Sequence, residues 1–531
     1  MRKSILFLIG LMLLAGYAEN IKMEVRIYYG DNFKLTNTLG NLLNDLDVVT
    51  IPQTFLEKKY LTIITTPEQL RQIQAEGIEA SITYADIRDK IYAITGVKEP
   101  KEFRDFGYFY TYWEMCDSLQ AWAIQYPDIC RLFTVGKSHQ GLDLLACKIS
   151  DNPKIDEDEP ATLFTSAAHA REPMGVTLCM DYIKYLLTNY TVDSFVKWLV
   201  NNREIYFLPV VNPDGYRYNS DSGGVTANWR KNRRVVQAPY IGVDLDRNYG
   251  YRWAWDDRGS SPNPSSETYR GPSRFSEVET QALRDFMLGK KIRTNIDYHS
   301  YGGFNCCVWG YSRNFEPIPD SIIQWEILDS MRSYNGYISF PLAQNIPSNG
   351  VAIDWSMADT FCNSIRKFVT FAYVIITSGN DFWEGWNDTS VINRNIRQNR
   401  PVNIYFTKIA GVFFDWLRPV IADTMLGNGT GQLDPGERSH LWFFVRNRSV
   451  HGLDSAYNIS ARLLSLDTMI VVETANANFP TIQRNSPGDN RASRFIIRCS
   501  PNAPPGSRKG LRLEMTFKND TCTIIQAVTC S

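Results

Sequence analysis

Three residues of this sequence combine the side chains that bind a catalytic metal ion. His169 and Glu172 are three positions apart in Thr165-Ser-Ala-Ala-His-Ala-Arg-Glu-Pro173, so a tight turn can direct both toward one ion. His299, in Asp297-Tyr-His-Ser-Tyr301, supplies a third ligand from elsewhere in the chain. Two imidazoles and one carboxylate leave the fourth position of a tetrahedral zinc ion open, as in catalytic sites. The sequence therefore predicts one Zn²⁺ held by His169, Glu172 and His299.

Both clusters directly follow apolar segments that read as strands. The predicted strands of this region are Thr162 to Thr165, Glu204 to Val211, Asn295 to Tyr298 and Phe368 to Ile376. Helices such as Gly175 to Leu187 alternate with them, and Ser276 and Glu279 have the spacing of a capping box at the start of another helix. Such alternation predicts an α/β domain over residues 101–418, with a central mixed β-sheet flanked by helices. Active sites of these sheets lie at the carboxyl ends of the strands, where the polar clusters fall.

Three further regions surround this domain. Residues 1–18 carry Arg2 and Lys3 before an apolar run and small residues, which predicts a secretory signal peptide. Residues 22–100 form a small N-terminal α/β segment that is either a propeptide or a permanent accessory domain. Residues 419–531 contain strands separated by turn residues, which predicts a C-terminal β-sandwich of the Ig-like type. Its loop 427–437 is best interpreted as a plain glycine-rich turn, with Ca²⁺ binding by its oxygen ligands as the alternative.

Charge and hydropathy restrict the partners of the protein. The chain has 56 basic and 57 acidic residues, so it lacks the basic excess that a nucleic-acid partner requires. The apolar run of the signal segment is too short for a membrane span, and no longer run follows, so no span is expected after signal cleavage. Ten cysteines are compatible with export, and both a tail disulfide near Cys522 and Cys530 and buried free thiols remain open. We expect a secreted protein, extracellular or at the cell surface.

Other motifs accompany the metal ligands in a fixed order along the chain. They are Asn212-Pro-Asp-Gly-Tyr216, Trp229-Arg-Lys-Asn-Arg233, Gly242-Val-Asp-Leu-Asp-Arg-Asn-Tyr249 and, after His299, Gly350-Val-Ala-Ile-Asp-Trp355. Together they resemble the zinc metallocarboxypeptidases of the carboxypeptidase A family (peptidase family M14), over roughly residues 105–415. The resemblance implies a zinc carboxypeptidase-like fold. It also implies a hydrolase that cuts peptide or protein substrates at or near their C-termini by zinc-activated water.

The resemblance also implies roles for single residues. Arg230 would stabilise the oxyanion that forms during hydrolysis, although it also starts a run of basic residues that could be a plain surface charge cluster. Arg247 would bind the terminal carboxylate of the substrate in a bidentate contact. The other substrate-binding positions implied by the resemblance are Arg171, Asp246, Ser300, Tyr301 and Ile353. An apolar residue at position 353 argues against basic C-terminal residues in the substrate.

The sequence departs from the family pattern in three places, and the first departure concerns the reaction itself. The family has a general-base Glu on a late strand, but Lys367 to Gly379 contains no acidic residue, and the Glu position becomes Ala372, Ile376 or Thr377. Losing a general base typically costs on the order of 10²–10⁴ in rate. The nearest carboxylates, Asp381 and Glu384, follow in the next loop.

The other two departures concern the substrate's terminal carboxylate. Ile346 stands where the family has a Tyr that caps this carboxylate, and Ile cannot donate a hydrogen bond. Asp246 replaces an Asn, and its charge would either repel the substrate carboxylate or occupy Arg247 in a salt bridge.

Two main hypotheses of function therefore stay open. The first is a secreted zinc metallocarboxypeptidase. The second is a catalytically impaired, zinc-binding pseudopeptidase that recognises peptide or cell-wall ligands. A third, a purely structural surface protein, is disfavoured by the intact set of metal ligands.

Overall fold

The computed structural model describes thirteen stretches of the chain. They are residues 23–28, 47–48, 60–75, 78–85, 106–157, 159–221, 228–312, 317–358, 361–362, 365–366, 369–450, 455–517 and 520–529. The predicted signal segment 1–18 and the residues Lys367, Phe368 and Cys530 lie outside them. Within these stretches, no helix has both the length and the apolar character needed to cross a membrane.

A small antiparallel sheet with one helix forms near the N-terminus. Its strand order is β2-β3-β1-β4, and Ile27, Ile63 and Ile73 are fully buried in its core. The helix begins after Thr66, whose hydroxyl accepts a hydrogen bond from Gln69 N (3.3 Å). The elements are β1 (Met23–Tyr28), β2 (Asp47–Val48), β3 (Tyr60–Thr65), α1 (Pro67–Ala75) and β4 (Ala80–Tyr84).

The central sheet has eight strands in the order β13-β12-β16-β11-β7-β8-β6-β5. It is mixed, because β11 pairs with β16 in parallel while β5, β6 and β8 pair antiparallel. Its strands are β5 (Cys130–Lys137), β6 (Asp143–Ile149), β7 (Ala161–Ser166), β8 (Glu204–Leu208), β11 (Ile292–Ser300), β12 (Phe304–Cys307), β13 (Ile338–Pro341) and β16 (Phe371–Thr377). Two short hairpins lie outside it: β9 (Val235–Gln237) with β10 (Tyr240–Ile241), and β14 (Phe361–Cys362) with β15 (Ile365–Arg366).

Helices connect these strands, so the predicted mixed sheet with helices is confirmed. They are α2 (Tyr112–Gln125), α3 (Pro173–Asn189), α4 (Ser194–Asn201), α5 (Pro213–Asp221), α6 (Val278–Leu288), α7 (Ser321–Asn335), α8 (Leu342–Asn345), α9 (Ala352–Met357) and α10 (Thr389–Ile409). The capping box predicted for α6 is wrong. Glu277 is the N-cap without a side-chain cap bond, because the Ser276 hydroxyl instead donates to the Glu277 carboxylate (2.6 Å).

Two sheets form the C-terminal part of the chain. Their orders are β17-β18-β23-β20, with β22 beside β18, and β21-β19-β24-β25. Apolar residues of both sheets share one core, including Phe443 and Ile497 from the first and Leu463 and Leu513 from the second. The strands are β17 (Phe414–Ala422), β18 (Arg438–Asn447), β19 (Ile459–Ser465), β20 (Ile470–Thr474), β21 (Asn476–Phe479), β22 (Pro487–Asp489), β23 (Phe495–Cys499), β24 (Arg508–Phe517) and β25 (Asp520–Thr529).

The chain divides into two compact units. The first comprises residues 1–155, 163–188 and 205–403, and the second residues 156–162, 189–204 and 404–531. The second unit therefore includes α4 in addition to the C-terminal sheets.

The loop 427–437 gives no support to the predicted Ca²⁺ site. The Glu437 carboxylate accepts hydrogen bonds from the loop's own backbone, Oε1 from Asn428 N (2.7 Å) and Oε2 from Asp434 N (2.8 Å), and Asp434 Oδ2 accepts from the Asn428 side chain (2.6 Å). Among the described residues, the side-chain groups that converge closely enough to hold an ion all lie elsewhere. The glycine-rich turn is therefore the better interpretation.

Candidate metal centre

Local backbone structure brings His169 and Glu172 to the same side of one turn. β7 ends at Ser166, and α3 begins at Pro173, so both residues lie between a strand and a helix. The N–H of Glu172 donates to the carbonyl of His169 (3.1 Å), which closes the turn. His299 is the next-to-last residue of β11, the strand beside β7. The sheet order therefore joins the two sequence clusters at the carboxyl ends of neighbouring strands.

The side chains of the three predicted ligands converge, with the Nδ1 atoms of both histidines next to the carboxylate of Glu172. His169 Nδ1 is 2.9 Å from Glu172 Oε1, and His299 Nδ1 is 3.0 Å from Glu172 Oε2 and 3.1 Å from His169 Nδ1. All three residues are buried, and Ser300 N donates to Glu172 Oε2 (3.1 Å). Two imidazole nitrogens this close to each other and to a carboxylate are arranged as ligands of one metal ion.

Two further carboxylates hold the histidines from behind. His169 Nε2 is 3.1 Å from Asp244 Oδ1, and His299 Nε2 is 3.3 Å from Asp297 Oδ2. A carboxylate on the far nitrogen fixes the tautomer and turns Nδ1 toward the metal, as metal-binding histidines usually require. Asp297 also accepts a hydrogen bond from the Thr165 hydroxyl (2.8 Å), which fixes its own position.

The electrostatics of the site favour a cation. Burial alone would raise the pKa of Glu172, but His169 and His299 outweigh it and hold that pKa below its usual value. Burial would likewise lower the pKa of His299, yet Asp297 and Glu172 hold it well above its usual value. The carboxylates thus stabilise positive charge at the ligands, so a divalent metal ion fits the donor set, its distances and its charge.

The predicted catalytic arginine lies beside the metal ligands. Arg230 donates from Nε and Nη2 to Asp244 Oδ2 (3.2 and 2.8 Å), and its Nη1 is 3.9 Å from Glu172 Oε1. Arg230 is buried, so the alternative of a surface charge run does not describe it. Asp244, which contacts both His169 and Arg230, links the metal centre to this guanidinium.

Arg247, the residue predicted to bind the substrate's terminal carboxylate, is already in contact with its neighbour Asp246. Arg247 donates from Nε to the Gly259 carbonyl (2.8 Å) and from Nη1 to the Asp246 carbonyl (2.6 Å), with Asp246 Oδ2 at 3.4 Å. The other carboxylate oxygen of Asp246 accepts from Ala352 N (3.0 Å). Asp246 Oδ2 is also 3.8 Å from His299 Nε2. Of the two effects expected for Asp246, the structure contains the salt bridge to Arg247.

The strand register narrows the position of the missing general base. β11 and β16 pair Asn295 with Ala372, His299 with Ile376 and Ser300 with Thr377. Paired residues of parallel strands point to the same face, so Ile376 is the residue beside the metal ligand His299. Thr377 points to the other face, where its hydroxyl is 2.9 Å from that of Ser300. Ala372 lies four residues earlier on the strand, so the apolar side chain of Ile376 is the one beside the predicted metal ligand His299.

The two carboxylates of the following loop are used within that loop. Glu384 accepts hydrogen bonds from Asn380 N (2.8 Å) and Asn380 Nδ2 (3.2 Å), and lies 4.0 Å from Arg394. Asp381 accepts from Trp383 N (3.0 Å). These contacts shape the turn after β16 and give no support to a relocated general base.

The remaining predicted substrate residues fall into two groups. Arg171 and Tyr301 both pack on Phe382, with the guanidinium 4.6 Å and the tyrosine ring 4.9 Å from its ring centre. Ser300 ends β11 beside the metal ligand. Ile353 is buried in α9, and Ile346 follows α8.

Asp244 and Asp297 are the site residues that sequence reasoning did not single out. Asp297 precedes His299 by two positions in a strand, and this period places both side chains on one face. Asp244 is the N-cap of a short 3-10 helix, Leu245–Arg247, and accepts a hydrogen bond from Asp246 N. A search for carboxylates two residues from a strand-borne histidine would have found Asp297.

Buried amides of α10 hold both strand ends that border the site. Asn403 accepts from the hydroxyl of Tyr298 (2.5 Å), the residue before His299. Asn395 accepts from Ser378 N (3.0 Å), the residue after β16. Asn395, Asn399 and Asn403 recur every four residues, which places them on one face of the helix.

A second histidine–glutamate cluster has a different character. His139 Nε2 is 3.0 Å from Glu277 Oε2 and 3.8 Å from Glu279 Oε2. Glu277 also accepts from Arg234 Nη1 and Asn232 Nδ2 (both 2.7 Å), so its oxygens are already satisfied by protein donors. Burial raises the pKa of Glu279 to about 7. This cluster is a salt-bridge network.

A mixed sheet with a buried cluster of two histidines and one glutamate at its strand ends is the arrangement of carboxypeptidase A-like proteins. The structure is similar to that of carboxypeptidase A from Helicoverpa armigera, with a TM-score of 0.56, 22% identity, and coverage of 73% of this chain and 98% of that one. The zinc carboxypeptidase family model matches residues 115–379. This part of the chain belongs to the zinc carboxypeptidase family.

Two curated relatives illustrate the range of the family. A zinc carboxypeptidase of Saccharothrix mutabilis subsp. capreolus is 36% identical over 268 residues, which is 48% of this chain and 60% of that protein. An Ajellomyces capsulatus protein named inactive metallocarboxypeptidase ECM14 is 31% identical over 204 residues, 37% of this chain and 33% of that protein. The chain thus spans less than two thirds of either relative.

Proposed function

We propose that this protein is a secreted zinc metallocarboxypeptidase-like protein that binds C-terminal ends of peptides and hydrolyses them slowly. The observation that carries the proposal is the convergence of His169, Glu172 and His299, whose ligand atoms lie 2.9–3.1 Å apart. When bound there, Zn²⁺ would act as a Lewis acid and lower the pKa of a water molecule. Export is proposed from the signal-like segment 1–18.

The arginines would divide the charge of the substrate between them. Arg230 lies next to the metal ligands, where a buried guanidinium can stabilise negative charge developing on the carbonyl oxygen. Arg247 would bind the terminal carboxylate, but with part of its charge already balanced by Asp246. Binding of a free C-terminus is therefore expected to be weaker than an unpaired arginine would allow.

Proton transfer is the step that this chain supports least. Ile376 lies beside His299 and has no group that accepts a proton from the attacking water. The expected rate is lower than that of an enzyme with a positioned carboxylate by on the order of 10²–10⁴.

The second candidate is a pseudopeptidase that binds peptide or cell-wall ligands without hydrolysing them. Ile376 favours the pseudopeptidase, because an apolar side chain beside His299 provides no proton acceptor, while the predicted metal ligands and both arginines remain. One relative bears the name of an inactive metallocarboxypeptidase, which shows that the family includes proteins so described.

A combined turnover and binding experiment separates the candidates. The zinc-loaded protein is incubated with matched peptides that end in a free carboxylate or an amide, and Glu172→Ala serves as the metal-site control. Slow release of C-terminal residues that stops with chelator and in Glu172→Ala supports the slow peptidase. Zinc-dependent binding without product supports the pseudopeptidase. If zinc changes neither binding nor turnover, both proposals fail.

A further inference from the structure

One face of the C-terminal sheets is rich in arginine. In β18, Leu441, Phe443 and Val445 are buried in the core, so the alternate residues Trp442 and Phe444 lie on the outer face. Arginines from β17, β18, β23 and the turn before β23 surround these two rings. We call this surface the arginine face and define it by Arg418, Arg438, Arg491, Arg494 and Arg498 together with Trp442 and Phe444.

Contacts with the aromatic rings fix three of the five guanidinium groups. Arg418 and Arg491 lie 4.7 and 5.5 Å from the centre of the Phe444 ring, and Arg494 lies 5.0 Å from that of Trp442. A cation–π contact positions a guanidinium without neutralising it, unlike a salt bridge. Arg491 Nε donates to Asp489 and Arg494 Nε donates to the Arg491 carbonyl, so an anion can bind the remaining guanidinium donors of these arginines.

The carboxylates of this face balance only part of its charge. Glu473 binds Arg438 (2.7 Å) and Arg498 (3.0 Å), and Asp489 binds Arg491 (3.1 Å). Within the described residues, Arg418 and Arg494 have no carboxylate within salt-bridge distance. Burial and then the charges of Arg494 and Arg438 hold the pKa of His440, on the same face, below its usual value. The face therefore has an excess of positive charge, in a chain whose net charge is -1.

The shape of the face suits an extended ligand. Arg438 and Phe444 are six residues apart on β18, which corresponds to about 20 Å along the strand. Arg438 is paired with Arg498 across the sheet, and Arg418 is paired with Phe444, so the charges spread over neighbouring strands. We propose that the arginine face binds an acidic polysaccharide through its carboxylate or sulfate groups.

Other polyanions match this surface less well. Single-stranded nucleic acids need aromatic rings on which bases stack, but guanidinium groups already cover Trp442 and Phe444. An amphipathic membrane anchor inserts large apolar side chains between lipids, whereas the two rings here are half-buried beneath the same guanidinium groups. An acidic polysaccharide requires only the array of guanidinium donors.

The test measures binding of the full-length protein to heparin, a sulfated polysaccharide, and to polygalacturonate by calorimetry. The double variant Arg418→Gln/Arg494→Gln is expected to bind about tenfold more weakly at about 0.15 M salt, since it lacks the two guanidinium groups that have no salt bridge to a described carboxylate. The matched control is Arg462→Gln/Arg508→Gln, which removes the same charge from exposed positions on β19 and β24 of the other sheet. This control is expected to retain the affinity of the unchanged protein.

A charge-preserving variant guards against a folding defect. Arg418→Lys/Arg494→Lys keeps both charges but loses the planar guanidinium, so its affinity should fall between the unchanged protein and the glutamine variant. Thermal unfolding of all variants checks that they fold. The proposal is overturned if neither polysaccharide binds, or if the control variant loses as much affinity as the glutamine variant. It is also overturned if single-stranded DNA or phosphatidylserine vesicles bind as tightly as the polysaccharides.

Discussion

Two parts of the candidate site differ. The metal side carries the predicted ligands, and the proton-transfer side is the end of β16, where the family has its general base. On the metal side, His169, Glu172 and His299 converge, and a carboxylate supports each histidine. On the proton-transfer side, the parallel neighbour of His299 is Ile376, and Asp246 engages Arg247. The family's fold thus holds a complete ligand set beside an altered reaction environment. We therefore expect that changes on the proton-transfer side alter catalysis without altering metal binding, whereas loss of the predicted metal ligands stops both.

Among the variants considered, a carboxylate at position 376 should have the largest effect, because it would supply the proton acceptor that the proton-transfer side lacks. Ile376→Glu places a proton acceptor on the face of His299, so kcat/KM for peptide hydrolysis should rise by on the order of 10²-fold or more. Thr377→Glu is the matched control, because that side chain points to the opposite face toward Ser300. Steady-state kinetics on both zinc-loaded variants makes the measurement. Equal rates in the two variants would contradict the assigned register.

Weakening the support of a histidine should affect the metal side alone. Asp297→Asn removes the charge behind His299, and zinc affinity should fall about 10–100-fold. Competition with a chromogenic chelator measures the affinity. Asp381→Asn, in the loop after β16, is expected to leave it unchanged, and a similar loss in that variant would argue against the proposed ligand set.

Releasing Arg247 should strengthen binding of free C-termini. Asp246→Asn removes the carboxylate from the guanidinium, and the affinity for a peptide with a free carboxylate should rise about tenfold, which corresponds to ~1.4 kcal/mol. The same peptide with an amidated end is the control and should bind as before. Calorimetry on zinc-loaded protein distinguishes the two. A gain for both peptides would show that position 246 does not act through the terminal carboxylate.

The smallest effect on the site is expected for the salt-bridge cluster of His139, Glu277 and Glu279. This cluster should instead affect how the free energy of unfolding depends on pH. Burial raises the pKa of Glu279 to about 7, above its unfolded value, so the folded state retains a proton that the unfolded state has lost. Its contribution to the free energy of unfolding therefore declines as the pH rises from about 4.5 to 7. The Glu277 hydrogen bond raises the pKa of His139, whose contribution is likewise lost as the pH rises through that value.

Glu279→Gln tests this pH dependence. Denaturant unfolding at several pH values should show a shallower decline between pH 5 and 7 in the variant, while its zinc affinity at pH 7 stays that of the unchanged protein. A variant with the original slope would show that Glu279 does not titrate in this range.

The sequence predicted the arrangement of the site better than its electrostatic surroundings. Strand ends and ligand spacing placed His169, Glu172 and His299 together, because polar residues after buried strands have few other places to lie. Asp246 contacts His299 in β11 and Ala352 at the start of α9, both far from it in sequence, and the β9–β10 hairpin separates Arg230 from its partner Asp244. The choice among Ala372, Ile376 and Thr377 needed the strand register, since an apolar strand of this kind can slide by one residue without changing its composition.

Local signals were also overridden by contacts from elsewhere in the chain. Ser276 and Glu279 have the spacing of a capping box, but Asn248 donates to the Ser276 hydroxyl (2.9 Å), and that hydroxyl in turn donates to Glu277. In the oxygen-rich loop 427–437, the carboxylates accept hydrogen bonds from the loop's own backbone and from the Asn428 side chain. In both cases the residue types were suited to the predicted role, and a competing hydrogen bond decided the outcome.

The amide side chains of α10 bear on how the protein takes up zinc. Asn403 holds Tyr298 and Asn395 holds Ser378, so hydrogen bonds that do not involve a metal fix the ends of β11 and β16. These bonds hold the predicted ligand His299, and the turn closed by Glu172 N and the His169 carbonyl holds the other two, so we expect that metal binding need not order a loop. Zinc uptake should then proceed in one fast phase with a small conformational entropy cost, and far-ultraviolet circular dichroism should stay constant during the titration.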